Sequence, residues 1–177
     1  DCDLAVLTVY DPAFYDDMIP LEFGPLPQVN STVQTCGFPL GGRTVSITEG
    51  VVSRIETGIY SHTQADSHLL IQTDAAINRG NSGGALALLN GDVIGINTAI
   101  YSPSGASAGI GFAVPVDTVN RVVPQLIAKG KYLRPALGIE VEEGLNSRLA
   151  RLLGVEGVII LRVLPDSAAA TAGLRGA

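Results

Sequence analysis

Between Val33 and Val114 the chain runs in short apolar–polar alternations, each closed by glycine, proline or an Asn-Gly pair. A repeat of two places alternate side chains on opposite faces, the pattern of strands with one face on a core. Val33 to Phe38 predicts one strand, turned back at Pro39-Leu40-Gly41-Gly42. Thr44 to Ile55 predicts a strand pair broken at Glu49-Gly50, and Leu69 to Thr73 a further strand. Ala85 to Leu89 and Val93 to Ile100 flank Asn90-Gly91, the strongest short-range hairpin signal in the chain. Gly109 to Val114 adds a strand after the small-residue loop Ser102 to Ser107. Ahead of them, Leu4 to Val9 reads as a strand ended by Asp11-Pro12. Ile19 to Val29, with Pro20, Pro25 and Pro27, reads as an extended connector. Many short strands joined by tight turns predict a β-sandwich or barrel.

The period then changes. After Pro115-Val116-Asp117, the residues Val119, Val122, Val123, Leu126 and Ile127 follow the i, i+3, i+4, i+7, i+8 spacing of a helix. Gly130 should end it, and Pro124 should kink it. Lys131 to Pro135 reads as a linker. From Ala136 a second unit is expected: a short strand, an amphipathic turn carrying Leu145, Leu149, Leu152 and Leu153, and a strand from Val158 to Val163.

Composition narrows the class. Hydrophobic residues make up 46% of the 177 and charged ones 16%, enough apolar surface for a substantial core. The 21 glycines and 10 prolines favour turns over long helices. Eleven basic against seventeen acidic residues give a net charge of −6 with no basic cluster, a poor match to nucleic acid or an anionic membrane. No apolar run approaches the roughly 18 residues of a transmembrane segment. The chain opens directly on the strand-like run after Asp1-Cys2-Asp3 and stops without closing an element, and so reads as truncated at both ends. Cys2 and Cys36 could pair, but two buried free thiols fit better without a dense cysteine framework. Gly37 to Arg43 lacks the Gly-Lys-Ser/Thr ending of a phosphate loop and reads as a turn.

The candidate chemistry centres on Gly80-Asn81-Ser82-Gly83-Gly84, between the strands ending at Thr73 and beginning at Ala85. A serine between glycines is either a flexible turn or a nucleophile on a tight bend. In the second case glycine allows unusual backbone angles and leaves N–H groups facing the reaction centre. The longer string Ile71-Gln72-Thr73-Asp74-Ala75-Ala76-Ile77-Asn78-Arg79-Gly80-Asn81-Ser82-Gly83-Gly84-Ala85-Leu86 favours the second. It resembles the nucleophile region of the HtrA (Deg) serine proteases. The resemblance continues through Asn90 to Thr98 and Gly109 to Pro115, and extends from Asp3 to Leu174.

That resemblance implies an all-β fold, a chymotrypsin-like double β-barrel with its N-terminal barrel incomplete, followed by a partial PDZ domain. Residues 1–130 would be the protease domain lacking its N-terminal part, 131–135 the linker and 136–177 the PDZ part. Ser82 would be the nucleophile and Asp3 the triad aspartate, preceding a Leu-Ala-Val-Leu strand; the plain alternative for Asp3 is a strand-capping carboxylate. Gly80, Asn81 and Ser82 would build the oxyanion hole, the N–H groups of Gly80 and Ser82 donating. The family's triad histidine lies N-terminal to the aspartate. The chain's two histidines, His62 and His68, fit neither that order nor a zinc spacing, so they read as loop residues and the base as lying upstream. An inactive relative that lost the histidine is the rival reading.

In chymotrypsin-like folds the residue six before the nucleophile floors the primary specificity pocket. Here it is Ala76, followed by Ile77, which implies an apolar pocket. Ile96, Asn97, Thr98, Ala99 and Ile100 would offer an edge strand to an extended substrate. Tyr101 to Gly109 would form a pocket-wall loop, and Thr57 to Ser67 the loop that senses peptide or neighbouring subunits. Ala136-Leu137-Gly138-Ile139 resembles a PDZ carboxylate-binding loop, the alternative being a plain β-strand core. The resemblance further implies unfolded polypeptide substrates, peptide C-termini at the PDZ part, a homotrimer or larger oligomer and no cofactor or metal. The compartment it implies is the bacterial periplasm or an organelle such as the chloroplast.

Overall fold

The computed structural model describes residues 2–39, 42–59, 67–100 and 108–176. Six strands close a barrel: β1 (Thr32–Gly37), β2 (Ser46–Ile59), β3 (Ser67–Thr73), β4 (Ala85–Leu88), β5 (Val93–Ile100) and β6 (Gly111–Pro115). Their order around it is β1-β2-β3-β6-β5-β4, all neighbours antiparallel. The alternation of β1 is visible in its burial, with Val33, Thr35 and Gly37 turned inward. Val33, Val52, Ile71, Leu86, Ile94 and Ala113 form the core. Each of the larger ones contributes about 1.5–3 kcal/mol by leaving water. At the hairpin between β4 and β5, Leu88 and Asp92 are joined by a backbone hydrogen bond of 2.9 Å, and Gly91 takes φ 92°.

Three expectations are corrected. Thr44 to Ile55 is not a broken pair: β2 is one strand of 14 residues that changes partner instead of breaking. Ser46 to Val51 pairs with β1, and Val52 to Ile59 with β3, with a register shift between Val52 and Arg54. Gly50 is a site of close approach, since a Cβ there would lie 2.3 Å from the Ala75 nitrogen. Leu4 to Val9 forms no strand, because no ladder partner lies beside it among the described residues; a 3-10 turn at Pro12–Tyr15 follows it. From Val6 to Val29 this stretch is largely exposed, with Leu7, Tyr10 and Ile19 at least 90% accessible. Val158 to Val163 is a strand only at β8 (Arg162–Val163), which pairs with the equally short β7 (Ile139–Glu140).

Helix α1 (Val116–Lys129) runs continuously through Pro124 and ends at Gly130, φ 66°, whose N–H reaches the Leu126 carbonyl at 2.9 Å. This is a left-handed glycine cap. Val116, Val119 and Val122 are buried and Leu126 partly so, but Ile127, expected on the same face, is exposed.

By its internal contacts the chain divides into Asp1–Tyr132 and Leu133–Ala177. The second unit holds β7, β8, α2 (Glu143–Leu153) and α3 (Ala168–Thr171). The expected turn around Leu145 is thus a helix of 11 residues, closed by Gly154. Ala169 is the buried hydrophobic residue among those described in this unit. Residues 60–66, His62 among them, and 101–107, with Asp1, Leu40, Gly41 and Ala177, lie outside the described residues, and most of the two stretches expected as loops falls there.

Candidate active site

The segment from Asp74 to Asn81 crosses one end of the barrel against the inward faces of β1 and β2. Two glycines make that approach possible: Gly50 against Ala75, and Gly37, where a Cβ would lie 2.6 Å from Asn81 Oδ1. Ala75 and Ile77 are fully buried as the plug. The segment is fastened by side chains. Thr48 Oγ1 donates to the Ala76 carbonyl at 2.8 Å, and the Val51 N–H donates to Asp74 Oδ1 at 2.6 Å. Thr73 Oγ1 donates to the Val51 carbonyl at 2.8 Å while accepting from the Ala75 N–H at 3.1 Å.

Beyond the plug the chain turns sharply, the Asn81 N–H reaching the Asn78 carbonyl at 3.0 Å. Gly80 and Gly83 take φ 102° and 86°, angles that glycine adopts without steric cost. Gly84 abuts β1 so closely that a Cβ would fall 2.0 Å from the Cys36 carbonyl oxygen. The loop is then locked to β5: Gly83 N–H donates to the Asn97 carbonyl at 2.8 Å, and Asn97 N–H to the Gly84 carbonyl at 2.9 Å. Among the described residues, the N–H groups of Gly80 and Ser82 donate no hydrogen bond within the chain. Two uncommitted donors beside an exposed serine suit an acceptor arriving from outside.

Thr98, buried on β5, joins the two residues that carry the candidate chemistry. Its backbone oxygen accepts from Ser82 Oγ at 3.1 Å, and its hydroxyl donates to Asp3 Oδ2 at 2.6 Å. One threonine thus binds both Asp3 and Ser82, far apart in sequence. Asp3 sits at φ 51°, a left-handed angle uncommon outside glycine. Such strain is tolerated where surrounding contacts fix the backbone, here the bond to Thr98.

Other sequence-derived residues are placed as follows. Ala76 is half-buried, and Ile77 packs inward, its Cδ1 lying 2.7 Å from where a Gly111 Cβ would sit. On β5, Ile96 faces Ala85 of β4 and Val114 of β6, and after a register shift at Thr98 the residues Ala99 and Ile100 pair with Phe112 and Gly111 of β6. His68 lies in β3, opposite Gly58, at the other end of the strand from the segment that carries Ser82. Thr73 lies five positions further along the strand, roughly 16 Å of extended chain. Cys2 and Cys36 are free and partly buried. In the second unit, the Leu137 and Gly138 carbonyls accept from Ala169 and Leu164 at 2.9 and 2.8 Å. Gly138 has φ 77°, with Ser167 against it. Sequence reasoning missed the dual grip of Thr98 and the fastening roles of Thr48 and Asp74. For Thr73 a signal existed, since a threonine at a strand end commonly accepts from the backbone N–H two residues on, as it does here from Ala75.

A closed antiparallel barrel whose tight glycine-bounded loop presents a serine, with an aspartate tied in beside it, defines a chymotrypsin-like serine protease scaffold. The sequence profile of the trypsin family matches residues 1–123, and the chain belongs to that family. Within it, its relatives are of the HtrA/Deg type. It is 44% identical over 176 residues to "Protease Do-like 1, chloroplastic" of Arabidopsis thaliana, covering 99% of this chain and 39% of that protein. It is 42% identical over 178 residues to "Periplasmic serine endoprotease DegP" of Escherichia coli strain K12, covering 98% of this chain and 36% of that protein. Among solved structures, "HtrA-type protease AlgW with decapeptide" superposes with a TM-score of 0.72 at 37% identity, over 88% of this chain and 48% of that one. The chain therefore spans less than half the length of these relatives.

Proposed function

We propose that this chain carries the nucleophile half of an HtrA/Deg-type serine endopeptidase that cleaves unfolded or damaged polypeptides without ATP. The observation that carries the reading is Thr98 holding Ser82 by its carbonyl and Asp3 by its hydroxyl. In the reaction Ser82 Oγ attacks the scissile carbonyl, and a histidine oriented by Asp3 takes the hydroxyl proton and returns it to the leaving amine. The oxyanion accepts from the Gly80 and Ser82 N–H groups, held in place by the turn at Asn81. Water then hydrolyses the acyl-enzyme. His62 and His68 match neither the order nor the context of the family's triad histidine, and on this reading the base is supplied from outside residues 1–177. Ala76 and Ile77 give an apolar primary pocket, and Ile96 to Ile100 of β5 are the strand that receives the extended substrate. Residues 136–177 form part of a PDZ domain, with Ala136 to Ile139 facing a peptide C-terminus, and the intact protein is a homotrimer or larger. The names of the relatives support a periplasmic or chloroplast setting.

The Ser82 hydroxyl is bonded to a carbonyl rather than to a base, which favours a second reading, an inactive peptide-binding relative. Casein hydrolysis separates the two. The intact protein should degrade casein, and Ser82→Ala should lower the rate on the order of 10⁴-fold or more, while residues 1–177 alone should be inactive. An intact protein inert towards casein supports the second reading. Activity of residues 1–177 that Ser82→Ala abolishes would require a base within this chain.

A further inference from the structure

We propose that Thr48 and Asp74 are positioning residues that set the depth of the primary specificity pocket, an inference resting on the protease reading above. Neither touches the reacting atoms. Both hold the segment that carries Ala76 and Ile77 down onto the long strand β2. Thr48 binds the carbonyl of Ala76 itself, at 2.8 Å, and Asp74 binds the Val51 N–H two residues from that floor, at 2.6 Å. Gly50 between them leaves room for this approach, since a Cβ there would meet the Ala75 nitrogen at 2.3 Å and Asp74 Oδ1 at 2.4 Å. On its far side the floor cannot move freely either, because Ile77 fills the space over Gly111. The height of Ala76 is therefore set by the Thr48 and Asp74 side-chain bonds to β2, beside the bonds of Thr73 Oγ1 and the Asp74 N–H to the Val51 carbonyl at 2.8 and 3.4 Å, and by Ile77 packed against Gly111 of β6. Releasing the bonds lets the floor relax away from the incoming side chain and enlarges an apolar pocket. A pocket that changes by a methylene or two changes discrimination between side chains by roughly 10- to 200-fold.

Steady-state cleavage of two peptide substrates by the intact protein, differing only in Val or Phe before the scissile bond, tests this. Labelling of Ser82 by a small fluorophosphonate gives a readout that does not depend on the pocket. Thr48→Val should raise the Phe-to-Val ratio of kcat/KM by about tenfold, chiefly through KM, and Thr48→Ser should restore it. Asp74→Ala should shift the ratio in the same direction, with Asp74→Asn close to wild type because its Oδ1 still accepts. The labelling rate should stay within about threefold throughout. An unchanged ratio in both Thr48→Val and Asp74→Ala overturns the proposal, as does labelling that falls in step with cleavage of both peptides. If Thr48→Val fails to fold, Asp74→Ala decides. Absence of wild-type labelling and cleavage overturns the protease reading itself, a failure distinct from an unchanged ratio.

Discussion

The barrel and the unit from Leu133 to Ala177 are built from equally apolar sequence, yet they use it differently. In the barrel every strand has a partner on both sides, and Val33, Val52, Ile71, Leu86 and Ile94 lose nearly all contact with water. In the second unit the ladder is two residues long, and Leu145, Leu152, Leu153, Val155 and Val158 remain exposed. Helix α2 has leucines at helical spacing, but no described residue of its own unit covers them fully. Closure makes the difference: a sheet that meets itself satisfies its backbone and encloses its side chains at once, whereas a two-residue ladder does neither.

This contrast can be broken most directly by one matched pair of substitutions. Leu86→Ala, in the barrel core, should cost about 2–5 kcal/mol in denaturant unfolding, whereas Leu152→Ala on α2 should stay within about 0.5 kcal/mol. Equal costs would mean that the second unit has a core of its own. Amide hydrogen exchange sharpens the same comparison residue by residue. The amides of Ile71 and Ala113 should exchange at least about 10²-fold more slowly than those of Ile139 and Val163. The smallest effect is expected at the Arg162–Glu140 ion pair that spans β7 and β8. Both side chains are about half exposed or more, so Arg162→Ala should change stability by no more than about 0.5 kcal/mol, read as a nearly unmoved melting midpoint.

The barrel was legible because its signals are local. Alternation at Val33 to Gly37, the Asn90-Gly91 turn and the Gly130 helix stop each act within a few residues and need no distant partner. The site was legible in its chemistry, since Ser82, its glycines and Asp3 lie in recognisable strings. The missed features all depend on what lies opposite. Gly50 reads as a strand breaker until Ala75 is seen against it. Leu4 to Val9 has strand composition but no strand to pair with. Val158 to Val163 has the residues of a strand but pairs over only two of them. Thr98 looks like one of five edge-strand residues, and only the fold brings Asp3 to its hydroxyl and Ser82 to its carbonyl.

The exposed stretch from Val6 to Val29 also governs how this chain behaves among copies of itself. Leu7, Tyr10 and Ile19 stand almost fully in water, with Phe14, Met18, Leu21 and Phe23 half or more exposed nearby. Covering exposed apolar side chains lowers the free energy of the encounter that covers them. A net charge of −6 spread over the chain offers little counterweight, because salt screens repulsion beyond roughly 8 Å at physiological ionic strength. The same stretch is thus where residues 1–177 have the most apolar surface to gain by being covered.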